Sequence, residues 1–218
     1  MIARTIAATT HGRYLVDPPP GRDTPAPLLV GCHGYAEAAE QMQRRLGATP
    51  AIDRWCVVSV QGLNRFYQRR TDEVIAGWMT RQDRELAIAD NIAYVHSVVD
   101  AVTREWQAAG ALAYAGFSQG TSMAFRAAAA SSRPVAGVLA VGGDIPPEIS
   151  DEALRRCGRV WLCHGRADPW YTAVKVAADA DRLRHAGVEP HVVEYDGGHE
   201  WSDPVIAAAA EFIRTVVR

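Results

Sequence analysis

A pentapeptide, Gly116-Phe117-Ser118-Gln119-Gly120, constrains the fold most, because it joins two stretches of different hydrophobic period. Before it, Ala111-Leu112-Ala113-Tyr114-Ala115 is a continuous apolar run, the pattern of a strand buried on both faces. After it, residues 121–130 read as a helix. A serine on the sharp turn between such a strand and such a helix is held in a strained backbone conformation with its hydroxyl exposed. Positions two before and two after it lie against neighbouring backbone, and glycine there permits the close approach. The segment is therefore predicted to be a nucleophile elbow.

The remaining chain alternates in the same way. Strands are expected at 13–17, 27–32, 55–60, 135–141, 160–164 and 189–195, and helices at 37–46, 171–186 and 204–217. Pro18-Pro19-Pro20-Gly21 reads as a turn closing the first strand, 61–81 as irregular, and Pro146-Pro147 as part of a connector. From 84 to 109, Leu86, Ala89, Ala93, His96, Val99, Val102 and Trp106 recur every three to four residues, a long amphipathic helix. The pattern predicts an α/β fold, and the elbow within it points to the α/β-hydrolase type. Its central sheet is mostly parallel, with helices on both faces and no inserted lid. No repeat or linker divides the chain, so residues 1–218 are expected to form a single domain.

Composition excludes several function classes. With 22% charged residues, net charge -2 and no basic stripe, neither nucleic acid nor an anionic membrane surface is an expected partner. No apolar stretch is long enough to cross a bilayer, and residues 1–14 carry no secretory h-region. Cys32, Cys56, Cys157 and Cys163 lack C-x-x-C spacing, and three of them fall in or beside expected strands. Reduced thiols and a cytoplasmic location are expected.

A serine hydroxyl needs an adjacent base, itself oriented by an acid. On this scaffold the order along the chain is serine, acid, histidine. The strand at 160–164 runs into Gly165-Arg166-Ala167-Asp168, and the next into Asp196-Gly197-Gly198-His199. Both loops open on the carboxyl edge of the sheet, where ligands bind in open parallel sheets. Ser118, Asp168 and His199 are thus the expected nucleophile, acid and base. Asp144 is the second-choice acid, and Asp196 lies too near His199 in sequence to orient it. His11, His96, His164, His185 and His191 are read as surface or satisfied core residues.

Acyl transfer also needs donors for the developing oxyanion. The N–H of Gln119, at the helix start, is one expected donor, and the N–H of Tyr35, after Cys32-His33-Gly34, is the other. His33 itself is expected to brace its loop rather than move a proton. Trp78, Trp170 and Trp201 are the expected substrate-binding aromatics, weighed against an ordinary core role for each. Phe66 and Tyr67 could line the pocket or cover core, and Arg69-Arg70 reads as a solvated loop face. No H-E-x-x-H, P-loop or G-x-G-x-x-G is present, and the serine route requires no cofactor or metal.

Together these segments resemble the phospholipase/carboxylesterase family of α/β hydrolases, which includes acyl-protein thioesterases and small bacterial carboxylesterases. The likeness rests on Cys32-His33-Gly34, the elbow, His164-Gly165-Arg166-Ala167-Asp168, Gly198-His199-Glu200 and the Trp78 segment. It implies the same three residues, Ser118, Asp168 and His199. The chain departs from the family pattern at Ala36 and Glu37, where the family often has Gly and Asp. It departs again at Trp170-Tyr171-Thr172 after the acid, and at Thr80 in place of an acidic residue. A bulky Trp170 favours short acyl groups.

The expected function is hydrolysis of carboxylic esters with small or short-to-medium acyl chains through an acyl-enzyme, acting on a small-molecule ester or thioester. A thioesterase or small-amide hydrolase, transfer to an acceptor other than water, and a non-enzymatic small-ligand binder on the same scaffold are the alternatives. The sequence leaves the oligomeric state open.

Overall fold

The computed structural model describes residues 1–18, 25–108 and 110–217. Short, mostly apolar runs become seven strands of one sheet. These are β1 (Arg13–Asp17), β2 (Leu28–Cys32), β3 (Cys56–Gln61), β6 (Leu112–Phe117), β7 (Val135–Val141), β8 (Arg159–Gly165) and β9 (His191–Tyr195). Their order is β1-β3-β2-β6-β7-β8-β9, parallel except for β1. Two further strands, β4 (Asn64–Tyr67) and β5 (Val74–Gly77), pair as a separate antiparallel hairpin.

The period of two along each central strand feeds two cores. Leu28, Val30, Tyr114, Val138, Ala140, Val160 and Leu162 face one side. There they meet α2 (Arg84–Trp106), α3 (Gln119–Ala129) and α5 (Ala173–His185). Leu29, Ala113, Ala115, Leu139, Val141, Trp161 and Cys163 face the other, under α1 (Ala39–Gly47) and α6 (Asp203–Thr215). Both faces of the central strands are covered, which is why they read as unbroken apolar runs. This is the α/β-hydrolase architecture, with no large lid among the described residues.

Strand order reverses between β2 and β6. The chain proceeds from β2 outward to β3, and from β6 the opposite way to β7, β8 and β9. Cys32 pairs with Gly116 across that junction, so the loops leaving β2 and β6 open side by side.

The structure adds elements that the sequence did not announce. The stretch 61–81, expected to be irregular, holds the β4–β5 hairpin, whose first strand is largely exposed and so shows no apolar alternation. The Pro146-Pro147 connector contains a short helix, α4 (Asp151–Arg155), whose Ala153 N–H donates to the Ser150 hydroxyl at 3.2 Å. Helix α1 starts two residues later than expected because Glu37 is still extended, its carbonyl accepting from the Ala76 N–H at 2.8 Å. Most of the Pro18-Pro19-Pro20-Gly21 turn, and Ala109 at the expected end of α2, lie outside the described residues.

Candidate active site

Ser118 stands between β6 and α3 with φ +53° and ψ -121°, a conformation that side-chain-bearing residues rarely adopt. Surrounding bonds hold it there. Its N–H donates to the Val141 carbonyl at 2.9 Å, and its carbonyl accepts from the Thr121 N–H at 3.0 Å. The Thr121 hydroxyl reaches the Gly116 and Val141 carbonyls at 3.0 and 3.1 Å. A Cβ on Gly116 would overlap the Gly120 backbone, and one on Gly120 would overlap that of Cys32 and His33. The steric reason expected for both glycines is therefore present.

The loops after β8 and β9 are stitched together by backbone bonds, Arg166 N–H to the Tyr195 carbonyl and Ala167 N–H to that of Gly197, both 2.9 Å. This brings Asp168 and His199 together, with 2.7 Å between His199 Nδ1 and Asp168 Oδ2. The other carboxylate oxygen, Oδ1, accepts from the Trp170 and Tyr171 N–H groups at 2.8 and 3.0 Å. Burial alone would raise the Asp168 carboxyl. The Tyr171 amide, His199 and the Trp170 amide outweigh it and hold the group below the ordinary aspartate value. Asp144 is elsewhere, paired with Lys175 Nζ at 3.0 Å.

Ser118 and His199 line one cleft of about 660 Å³, with Gly34, Tyr35, Phe117, Trp170 and Trp201 among its walls. Trp170 is 65% exposed and meets the His199 ring edge-on at 4.6 Å, while Phe117 lies 5.0 Å from it. Trp201 meets Phe117 edge-on at 6.4 Å. A second cleft of about the same volume lies around Arg13, Arg44, Arg65 and Glu73, without Ser118, Asp168 or His199.

Trp78 departs from expectation. It is fully buried and lines neither cleft. Its indole N–H donates to the His33 carbonyl at 2.8 Å, so it supports the loop carrying Tyr35 from beneath. His33 braces the same loop, as expected. Its Nε2 accepts from the Gly62 N–H at 3.0 Å, so Nδ1 carries the proton and donates to the Gly34 carbonyl at 2.7 Å. Burial lowers its pKa, which suits a neutral ring.

Several side-chain contacts around the site were not foreseen in the sequence. The Gln119 side chain accepts from the Trp78 N–H at 2.8 Å and donates to the Met79 carbonyl at 3.2 Å, tying the 77–79 segment to the elbow. Glu37 accepts the Gly34 N–H at 2.7 Å and both terminal nitrogens of Arg45, at 2.6 and 2.7 Å. Burial would raise the Glu37 carboxyl, but Arg45 and the Gly34 amide bring it below the ordinary value. The Arg45 guanidinium in turn lies 4.2 Å over the Phe117 ring. Nothing in the spacing of residues 37 and 45 signals this pairing. Ala36, where the resembling family often has Gly, holds φ +59°.

The other histidines lie away from the cleft, though His164 is only partly satisfied. Its Nε2 is 3.4 Å from Glu194, while its Nδ1 is enclosed without a partner. All four cysteines are free and buried, and burial pushes Cys56 up to about 11 and Cys157 and Cys163 up to about 12. Such thiols are poor nucleophiles. Among the described residues, no group of three or more His, Cys, Asp or Glu could hold a metal ion, and no helix could cross a membrane.

The strand order, the elbow and the switch point define an α/β-hydrolase fold. The profile of the phospholipase/carboxylesterase family matches residues 20–217, and the chain belongs to that family. Solved structures share the fold at low identity. Acyl-protein thioesterase 2 of Zea mays is 17% identical, with TM-score 0.73, over 95% of this chain and 100% of its own. A Bacillus cereus carboxylesterase is 15% identical, with TM-score 0.70, over 94% of each chain. SOBER1 of Arabidopsis thaliana is 14% identical, with TM-score 0.70, over 88% of this chain and 100% of its own. No curated protein sequence matches the chain significantly.

Proposed function

We propose that the protein is a serine hydrolase of carboxylic esters with small or short-to-medium acyl chains, working through an acyl-enzyme. The observation that carries this reading is the 2.7 Å contact of His199 Nδ1 with Asp168, beside a strained Ser118 in the same cleft. Asp168 fixes the imidazole with Nδ1 protonated, leaving Nε2 as the base. Nε2 takes the Ser118 proton as Oγ attacks the acyl carbon. The oxyanion receives the N–H groups of Tyr35 and Gln119, each contributing about 3–4 kcal/mol to the barrier reduction. The Gln119 amide is free of intrahelical partners because it is the first of α3. Collapse expels the alcohol, which takes its proton from Nε2, and water then repeats the sequence to release the acid. Trp170 and Trp201 form walls of the substrate site, and the chemistry uses no cofactor. In this reading residues 1–218 act as one cytoplasmic unit on a small-molecule substrate.

The same groups would serve a thioester or a small amide, and matched ester, thioester and anilide substrates separate these. Replacing Ser118 by alanine should lower turnover of activated short-chain esters by roughly 10⁴- to 10⁶-fold with circular dichroism unchanged. Retained turnover in that variant would remove the proposal.

A further inference from the structure

The walls of the Ser118 cleft have an unusual chemistry. Their apolar surface comes from Tyr35, Phe117, Trp170 and Trp201, and no leucine, isoleucine, valine or methionine lines the cleft among the described residues. Two of these rings face solvent to a degree uncommon for such groups, Tyr35 at 57% and Trp170 at 65% exposure. The one arginine beside them is already engaged, and the remaining charge on the wall, Glu200, is a carboxylate that disfavours an anionic substrate. Both terminal nitrogens of Arg45 are engaged by Glu37, so that guanidinium offers no free fork for a carboxylate or phosphate.

An alkyl chain gains from a site in proportion to the length taken out of water, and an open cleft encloses little of it. Rigid ring faces and edges instead reward a flat partner, because aromatic pairs in offset or edge-on geometry gain beyond the area they bury. We propose that this cleft selects neutral esters carrying a planar aromatic ring next to the scissile bond, with Trp170 as a principal wall. The inference rests on the ester-hydrolase reading above and names its substrate class. Phe117 and Trp170 both contact His199, so a ring in either the acyl or the alcohol portion would lie within their reach.

The test uses matched esters and the purified protein, with acid release followed by pH-stat. In the acyl arm, methyl phenylacetate is compared with methyl cyclohexylacetate and methyl octanoate, all with eight acyl carbons. In the alcohol arm, benzyl acetate is compared with cyclohexylmethyl acetate. Each kcat/KM is divided by the hydroxide-catalysed rate of the same ester, which removes intrinsic reactivity. The expected result is a preference of about tenfold for the flat ring over the saturated one in at least one arm, and that arm identifies the side of the bond. Trp170→Leu should bring the ratio close to one and Trp170→Phe should preserve it. A general defect would lower both members of a pair and leave the ratio unchanged. Equal normalised rates for flat and saturated rings in both arms, faster octanoate, or a ratio insensitive to Trp170→Leu would overturn the inference while leaving the hydrolase standing. No turnover of any ester would overturn both.

Discussion

Two buried aspartates, eleven positions apart in sequence, meet the same tyrosine and are driven in opposite directions. Asp168 accepts the Tyr171 backbone N–H, while Asp179 accepts the Tyr171 hydroxyl at 3.0 Å together with the Ile145 N–H at 3.1 Å. Burial is the largest influence on both and would raise both. At Asp168, two amides and an imidazole reverse it. At Asp179, the Ile145 amide and the Tyr171 hydroxyl are too little, and the nearby charge of Asp144 adds to burial, so the carboxyl stays above its ordinary value. Depth alone therefore does not decide whether a buried acid is a charge or a neutral acceptor. The number and kind of its donors do.

The sharpest way to break the comparison is Asp168→Asn. If Asp168 orients His199, kcat on a good ester should fall about 10⁴-fold, because the amide favours the wrong tautomer. A loss below tenfold would make Asp168 a structural residue like its neighbour. Asp179→Leu should instead act mainly on stability. It strands the Tyr171 hydroxyl and the Ile145 N–H, and denaturant unfolding should show a loss of about 1–3 kcal/mol. Tyr171→Phe is milder, about 1 kcal/mol, since one donor and its partner are separated without touching the backbone bond to Asp168.

The finest distinction is in pH. The raised Asp179 binds a proton more tightly in the folded chain than in the unfolded one. Its favourable contribution is complete below the unfolded aspartate value, about 3.9, and is lost as pH rises through the folded value. Asp168 has the opposite sign, since its contribution is present above the unfolded value and lost as pH falls through the depressed folded one. Asp179→Asn, which cannot ionise, should therefore gain stability relative to the parent as pH is raised above about 4, whereas Asp168→Asn should lose it as pH is raised towards about 4 from below. Unfolding free energies at several pH values that run parallel for the two variants would refute the contrast.

Asp168 was legible in the sequence and Asp179 was not, for physical reasons. Asp168 follows an apolar strand inside a Gly-Arg-Ala-Asp loop, at a sheet edge where topology limits what a carboxylate can do. Asp179 sits within α5 in Ala177-Ala178-Asp179-Ala180, where a helical period gives no hint that its acid turns inward. The central strands were legible because continuous apolar runs of that length have few other fates. Their edges moved by a residue or two, as at β6, which continues to Phe117. The β4–β5 hairpin escaped because its strands are four residues long and β4 presents mostly exposed side chains. Trp78 was assigned to the wrong surface, since a tryptophan near a predicted pocket looks the same in sequence whether it lines that pocket or props up its floor. The Glu37–Arg45 pair depends on the turn between an extended residue and α1, which no local pattern reports.

The scaffolding of the Tyr35 loop, with His33 and Trp78 beneath it and the Ala36 N–H bonded to the Ala76 carbonyl at 2.9 Å, leaves the Tyr35 ring itself half in solvent. The main chain that would polarise a carbonyl is thus held by these partners, whereas the ring that would greet a substrate packs against Phe66, with 5.7 Å between ring centroids. Descendants of this gene could exchange one ring for another and explore new diets while inheriting the reaction centre whole.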